Sequence, residues 1–337
     1  MKKLPKRTQV PLLTFNKMQL PNPIPLVDIK AAQERLKGKV LRTPLIRFHQ
    51  EDSSTEIYLK PENLQPIGSF KLRGACNAML LAPEELLKNG VYTASAGNMA
   101  QGVAWNAKQL GISCKVIVPD HAPKTKLDAI ERLGGSYKKV PFEEWWQVII
   151  DHKYEGMEGL FIHPVSDQAV IAGNGTIGLE ILEDLPDVDA VIVPYGGGGL
   201  SSGIASAIKA LKPDTKVFAS EVETACPFSV SLNAGEPTTV EYCASFVDGI
   251  GSKGILPEMW PLVSSLLDGS IVVSLEQIAS AIRLLMQRNR MIAEGAGASS
   301  LAASITGKAG SGKVVCVISG GNIDESKLKV IMDNEIP

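Results

Sequence analysis

Short apolar runs rich in β-branched residues alternate along the chain with longer amphipathic segments. Five runs of strand length end at or near glycine or proline: VYTASAG (91–97), CKVIVP (114–119), SYKKVP (136–141), DAVIVPYGGGG (189–199) and KVVCVISGG (313–321). A sixth run is KVFASEVE (216–223). Apolar residues at helical spacing cover segments 98–111, 124–135 and 199–213. Strands that alternate with helices predict an α/β fold of parallel sheets with helices on both faces. Ligands of such sheets lie beyond the carboxyl ends of the strands, where this chain has its glycines.

The length of 337 residues favours two closely joined lobes or one large α/β unit. Five prolines within residues 1–25 predict an extended N-terminal arm. The segment 143–159 predicts a helix followed by a turn, and we expect a junction between lobes near residue 165.

Charge and cysteine content exclude several classes of function. The 34 basic and 36 acidic side chains are mixed along the chain, so nucleic-acid binding is not expected. No apolar stretch is long enough for a membrane span, and the basic N-terminus lacks the pattern of a signal peptide. The five cysteines contain no C-x-x-C pair, which favours a reducing cytoplasm over a disulfide framework or a zinc site.

Four consecutive glycines lie in VPYGGGGLSSG (193–203), between a strand and a helix. Backbone amides can converge there, and the helix N-terminus adds positive potential, so the segment predicts a phosphate site. Two other glycine motifs are weaker. The G-x-G-x-x-G match at 173–178 follows SDQAVIA, a weak strand, and favours packing at a helix start; GKAGSGK (307–313) precedes a strand, unlike a nucleotide loop.

A lysine follows a glycine turn in LQPIGSFKLRGACNA (64–78). Most lysines are solvated surface charges, so Lys71 alone would be interpreted as one. A desolvated lysine has a lowered pKa, and its neutral amine can form a Schiff base. The flanking apolar residues make that chemistry possible.

Two more segments place polar groups at strand ends. In TASAGNMAQGVAW (93–105), free amides at a helix start, with Ser95 and Asn98, suit a carboxylate or phenolate oxygen; helix capping by Asn98 is the alternative. In VISGGNID (317–324), Ser319 ends an apolar strand, and two glycines permit close approach of a ligand.

In this order, the segments resemble the fold type II pyridoxal-phosphate enzymes, specifically the threonine dehydratase, serine dehydratase and serine racemase branch. The resemblance covers about residues 25–330 and rests on GSFKLRGA (68–75), SAGNMAQGVA (95–104), AGNGT (172–176), the tetraglycine (196–199) and SGGN (319–322). It implies two lobes, each an open, mostly parallel twisted sheet flanked by helices. The implied parts are an arm (1–24), a large cofactor-binding domain (25–86 with 167–337) and a small mobile domain (87–166), in a homodimer.

The resemblance also implies residue roles. Lys71 would bind pyridoxal 5'-phosphate covalently, with Phe70 beside the ring. The phosphate would lie on Gly196, Gly197, Gly198, Gly199 and Leu200, with Asn98 at the ring hydroxyl and Ser319 at the pyridine nitrogen. The substrate carboxylate would lie on Ser95, Ala96, Gly97, Asn98 and Met99. The implied reaction eliminates water from L-threonine or L-serine, giving 2-oxobutanoate or pyruvate and ammonia.

Four departures from the branch change the expectations. Racemases of this branch carry a second serine where this chain has Ala96, so racemase activity is expected to be weak. The usual histidine is replaced by Met99, which is expected to alter the substrate pocket. The divalent-cation site keeps Glu221 but has Pro227 in place of an aspartate, so no metal site is expected. A C-terminal regulatory domain is not expected.

Other functions stay open. The substrate could be a bulkier β-hydroxy amino acid such as hydroxyaspartate or phenylserine. β-Replacement of the cysteine synthase type and a catalytically silent ligand-binding relative are further alternatives.

Overall fold

The computed structural model describes residues 23–49 and 55–337. The predicted arm, apart from its last two residues, lies outside these ranges. The helices are α1 (Leu26–Leu36), α2 (Lys71–Leu81), α3 (Glu84–Leu87), α4 (Asn98–Leu110), α5 (Lys124–Arg132), α6 (Phe142–Asp151), α7 (Gln168–Asp184), α8 (Gly199–Leu211), α9 (Pro227–Ala234), α10 (Trp260–Leu266), α11 (Leu275–Leu284), α12 (Gly295–Ile305) and α13 (Glu325–Met332), with a 3₁₀ turn (Glu62–Leu64) and a π-helical turn (Leu285–Asn289). The strands are β1 (Ile46–Arg47), β2 (Thr55–Pro61), β3 (Val91–Ala94), β4 (Cys114–Pro119), β5 (Ser136–Val140), β6 (Leu160–Phe161), β7 (Ala190–Pro194), β8 (Lys216–Val222), β9 (Gly269–Val273) and β10 (Gly312–Ile318).

The strands form two sheets. The larger has the order β1-β2-β10-β7-β8-β9 and is parallel except for the short edge pair β1–β2. The smaller has the order β5-β4-β3-β6 and is parallel throughout. The central strand β7 is buried at every position, as expected of a parallel strand covered on both faces. The predicted α/β fold with two mostly parallel sheets is confirmed.

All six predicted strands are present, each ending within a few residues of its predicted end. The predicted weak strand at SDQAVIA is wrong. Those residues begin the long helix α7, whose N-cap Asp167 accepts from the amides of Ala169 and Val170.

The G-x-G-x-x-G match also lies inside α7, so the predicted packing is at the middle of a helix and not at its start. Its glycines permit close contact between helices. A Cβ on Gly173 would lie 2.7 Å from the Arg73 carbonyl oxygen of α2, and one on Gly178 would lie 2.8 Å from the Ile204 carbonyl oxygen of α8. Helix α7 therefore holds the N-terminal parts of α2 and α8 at short distance, and both carry predicted site residues.

A buried group of charges lies under the start of α2. Arg73 donates hydrogen bonds to Glu62, at 2.8 Å from both Nε and Nη2, and to Glu180 at 2.6 and 2.9 Å. Lys60 donates to Glu180 at 2.6 Å, and Thr43 donates to Glu62 at 2.7 Å. Burial raises the pKa of Glu62, but Arg73, with smaller contributions from Lys60 and Thr43, more than offsets this and holds the pKa below its usual value. The two cations and two carboxylates are therefore mutually compensated, and they fix α2 to β2 and α7.

Within the described residues, no helix has the length and apolarity needed to cross a membrane.

Candidate active site

Lys71 begins α2, and the turn before it is bonded to the end of β10. The amide of Phe70 donates to the Ser319 carbonyl at 3.0 Å, and the amide of Gly321 donates to the Gly68 carbonyl at 2.9 Å. Gly68 has a φ of +71°, a conformation that favours glycine. This pairing brings Lys71, Phe70 and Ser319 together, although they are far apart in sequence.

The amine of Lys71 is turned into the protein. Its Nζ donates to the Pro164 carbonyl at 2.6 Å and lies 5.3 Å from the centre of the Phe70 ring. Burial lowers the pKa of Lys71 to about 8. At pH 7 roughly a tenth of such amines are uncharged, against fewer than about one in a thousand for an ordinary lysine. The structure therefore provides the desolvated amine that Schiff-base chemistry needs.

The carbonyl that accepts from Lys71 lies in a bend organised by a buried histidine. Nδ1 of His163 accepts from the amides of Val165 at 3.1 Å and Ser166 at 2.7 Å, and its Nε2 contacts the Ile149 carbonyl at 3.1 Å. Burial lowers the pKa of His163 to about 3, so the ring stays neutral and Nδ1 stays an acceptor. Sequence reasoning missed this residue, because a lone histidine carries no pattern.

The tetraglycine lies on the other side of the same bend. A Cβ on Gly197 would lie 2.6 Å from Cγ1 of Val165, and one on Gly199 would lie 2.6 Å from the Val165 carbonyl oxygen. Gly198 is the N-cap of α8 with a φ of +91°. The first amides of a helix have no partner within it, so Gly199 and Leu200 present free donors beside this glycine cradle. Val165, which follows Pro164, thus contacts the predicted phosphate site.

The predicted carboxylate loop lies between β3 and α4. Oγ of Ser95 accepts from the amide of Gly97 at 3.2 Å, and a Cβ on Gly97 would meet no atom within 4 Å. Ala96 is partly buried against the apolar cluster of the smaller lobe, and Met99 is 1% exposed within that cluster. The Met99 side chain packs in the core, and its expected effect on the substrate pocket stays a prediction.

Asn98 does not cap its helix. It is the first residue of α4, the N-cap is Gly97, and no side-chain cap is formed. The side-chain amide of Asn98 instead donates to Oε1 of Glu294 at 2.8 Å and accepts from Nδ2 of Asn322 at 2.7 Å.

A cleft of about 200 Å³ lies here between the lobes. It is lined by Gly97, Asn98, Gln101, Thr125, Lys126, Ala129, Arg132, Phe246, Asp248, Gly249, Glu294, Asn322, Ile323, Asp324 and Lys327. Glu294 was missed, because nothing in AEGAGAS distinguishes it from a surface acid.

Glu221, at the predicted remnant of a cation site, is buried and already saturated. Its carboxylate accepts from the amides of Phe228 and Ser229 and from the hydroxyl of Ser270, at 2.6 to 2.8 Å. In the ranges that the structure describes, no cluster of three or more histidine, cysteine or acidic side chains is arranged to hold a metal ion. The expectation of no metal site stays a prediction.

These residues fit a phosphorylated aldehyde. The buried amine can bind the aldehyde carbon, the glycine cradle at the α8 N-terminus leaves no room for side chains and offers amides to a phosphate, and Asn98 offers an amide to a ring oxygen. A model of the pyridoxal-phosphate dependent enzyme family matches residues 36–320, which include all of these segments. The chain belongs to this family.

The similarity of this pyridoxal-phosphate dependent enzyme to known proteins covers nearly the whole chain. An L-threonine ammonia-lyase of Thermotoga maritima is 43% identical over 92% of this chain and 78% of its own. A catabolic L-threonine dehydratase of Escherichia coli K12 is 41% identical over 92% of this chain and 96% of its own. Among solved structures, maize serine racemase superposes with a TM-score of 0.84 at 32% identity, covering 93% of this chain and 97% of that one.

Proposed function

We propose that this chain is a pyridoxal-phosphate-dependent ammonia-lyase that converts L-threonine, and also L-serine, into 2-oxobutanoate or pyruvate and ammonia. The observation that carries the proposal is the buried Lys71 amine, 2.6 Å from the Pro164 carbonyl, in a bend that packs on the tetraglycine. The relatives named above as threonine ammonia-lyase and dehydratase support the choice of substrate.

When bound, pyridoxal phosphate supplies an electron sink that makes the α-proton of an amino acid removable. Lys71 is suited to hold the cofactor and then, as a free amine, to take that proton. With its pKa lowered to about 8, the amine is a base matched to neutral pH. The Pro164 carbonyl can keep the amine pointed at the site while it is protonated.

The remaining site residues would bind and orient the substrate and the cofactor. The α4 amides and Ser95 would bind the substrate carboxylate, since anions are stabilised at a helix N-terminus. Gly196 to Leu200 would hold the phosphate, with Phe70 beside the ring. Ser319 would face the ring nitrogen, and a hydroxyl there stabilises a cationic ring less than a carboxylate does. Prompt loss of the β-hydroxyl is thereby favoured over transamination.

The test is a panel of β-hydroxy amino acids assayed for ammonia and 2-oxo acid. We expect turnover of threonine and serine and none of phenylserine, together with cofactor trapped on Lys71 by borohydride. The Lys71→Ala variant is the control and is expected to release no ammonia. Turnover of hydroxyaspartate or phenylserine in place of threonine would contradict the substrate, and efficient sulfide-dependent cysteine formation would contradict the reaction class.

Racemase activity is a second readout of the same panel, because a serine racemase is among the structural relatives. Ala96 has no side-chain group that can donate or accept a proton. We therefore expect D-serine to form far more slowly than pyruvate.

We further propose a homodimer in the cytoplasm, with the division into large and small domains at residues 87 and 166. The four-stranded sheet lies within residues 91–161, which supports that division. Sedimentation of the holoenzyme tests the homodimer, and cell fractionation tests the cytoplasmic location.

A further inference from the structure

The hydrogen-bond chain around Asn98 contains a carboxyl group, Glu294, that the proposed steps do not use. Glu294 is 6% exposed and is the N-cap of α12, where its amide donates to the Gly320 carbonyl at 3.1 Å. Its Oε1 accepts from Asn98 at 2.8 Å. A Cβ on Gly320 would lie 2.4 Å from that same oxygen, so the carboxyl group is closely packed against the residue after Ser319.

The side-chain amide of Asn98 is held by hydrogen bonds at both its nitrogen and its oxygen. Nδ2 of Asn322 donates to Oδ1 of Asn98 at 2.7 Å and to the Ile67 carbonyl at 2.9 Å, so both of its hydrogens are used. This assigns the oxygen of Asn98 to the side of Asn322 and its nitrogen to the side of Glu294. One hydrogen of the Asn98 nitrogen is left for a further acceptor.

We propose that Glu294 is a positioning residue, an inference that rests on the proposed function. Glu294 holds the side-chain amide of Asn98 toward the ring hydroxyl of the cofactor. The protonation state of Glu294 sets the charge at that end of the site.

The surroundings of Glu294 place its titration in the neutral range. Burial, with a smaller contribution from the charge of Asp248, raises the pKa of Glu294 to about 7, although the Asn98 hydrogen bond and Lys126 lower it. Asp248 lies on the loop after Phe246 and forms ion pairs with Lys126 of α5 at 2.7 Å and Lys327 of α13 at 3.8 Å. The other charged groups that line this cleft are Arg132 and Asp324.

Glu294→Gln and Glu294→Leu separate the two parts of the proposal. Glutamine keeps an oxygen that can accept from Asn98 but carries no charge, whereas leucine removes the acceptor. Glu183→Gln is the matched control, because Glu183 is about half exposed and pairs with Arg42 on the surface. The holoenzymes are titrated from pH 5.5 to 9 without substrate, with the absorbance of the bound cofactor recorded, and the dissociation constant of pyridoxal phosphate is measured by equilibrium dialysis.

We expect a change in absorbance centred near pH 7 in the wild type and in Glu183→Gln, and its loss in Glu294→Gln. Cofactor affinity should stay within about threefold in Glu294→Gln and fall roughly tenfold or more in Glu294→Leu, since a hydrogen bond to a charged group is lost. The inference is overturned if the wild type has no such transition, if the transition persists in Glu294→Gln, or if Glu294→Leu binds the cofactor as tightly as the wild type.

Should Glu294→Leu fail to fold, the titration of Glu294→Gln decides alone. Wild-type protein that carries no borohydride-trapped cofactor on Lys71 would refute the proposed function and this inference together. Wild type that carries the cofactor but lacks the transition near neutral pH would refute this inference alone.

Discussion

Replacing Arg73 with leucine tests whether the buried charges beneath α2 hold the lysine-bearing helix in place. The substitution removes six hydrogen bonds: two to each of Glu62 and Glu180, one to the Thr176 hydroxyl and one to the Leu41 carbonyl. Glu62 would keep its bonds from Thr43 and Gln65 but lose its cation. The cluster would change from neutral to one net negative charge in a region closed to water.

Breaking a buried ion pair by removing one partner typically costs about 3–5 kcal/mol. We expect a loss of that size in the free energy of unfolding of Arg73→Leu, or roughly two to four orders of magnitude in the unfolding equilibrium. Arg42→Leu is the control, because the Arg42 side chain is 50% exposed in its pairs with Glu183 and Asp184. Its cost should stay below about 1 kcal/mol.

The assay is urea unfolding of the cofactor-loaded proteins, followed by far-ultraviolet circular dichroism and compared at equal m-values. The pKa of Glu62 is lowered in the wild type, so its ionised form stabilises the fold above the pKa of the unfolded chain, and this is lost in acid. In Arg73→Leu burial should raise that pKa. The difference between the two proteins should then be largest at neutral pH and shrink toward pH 5. A cost below about 1 kcal/mol, or one independent of pH, would refute the reasoning.

Three further outcomes are expected. Lys71→Ala should lose borohydride-trapped cofactor and lower kcat by roughly 10³-fold or more; retained trapping would contradict the role of this amine. Gly197→Ala, whose methyl would lie 2.6 Å from Val165, should weaken cofactor binding in equilibrium dialysis more than Gly196→Ala, whose nearest atom is at 3.5 Å. At pH 8 the free energy of unfolding of Glu294→Gln should exceed that of the wild type by about 3 kcal/mol, because ionising a carboxyl whose pKa is raised from 4.5 to about 7 destabilises the fold. Equal stability at pH 8, or a difference that persists at pH 4.5, would argue against that pKa.

The sequence predicted those elements whose ends carry special residues. The tetraglycine, the glycine turn before Lys71 and the Ser319 segment each end or begin an element, and glycine marks such points through its backbone freedom. Strand β2 (Thr55–Pro61) has no such signal, because Lys60 interrupts its apolar pattern, and its buried amine is compensated by bonds to Glu180 and to the Thr43 carbonyl. Helix α7 was predicted wrongly at its start, because its glycines lower helix propensity and only contact with α2 and α8 explains them.

Site residues could be predicted where they belong to a recognisable sequence motif. Site residues whose role depends on contacts with other elements could not be predicted. Pro164, His163 and Glu294 act through contacts with residues about 90, 14 and 196 positions away in the chain. No local pattern indicates such contacts, because the fold alone creates them.

The partner of the reactive lysine has a mechanical consequence. Pro164 lies where the chain leaves β6 of the smaller sheet and enters α7, which packs on α2 and α8. A rotation of one sheet against the other would pull on this crossing. Unless the backbone at 163–167 absorbed the displacement, the distance between the Lys71 Nζ and the Pro164 carbonyl oxygen would change. The width of the cleft and the hydrogen bond of this amine would therefore be coupled through segment 163–167.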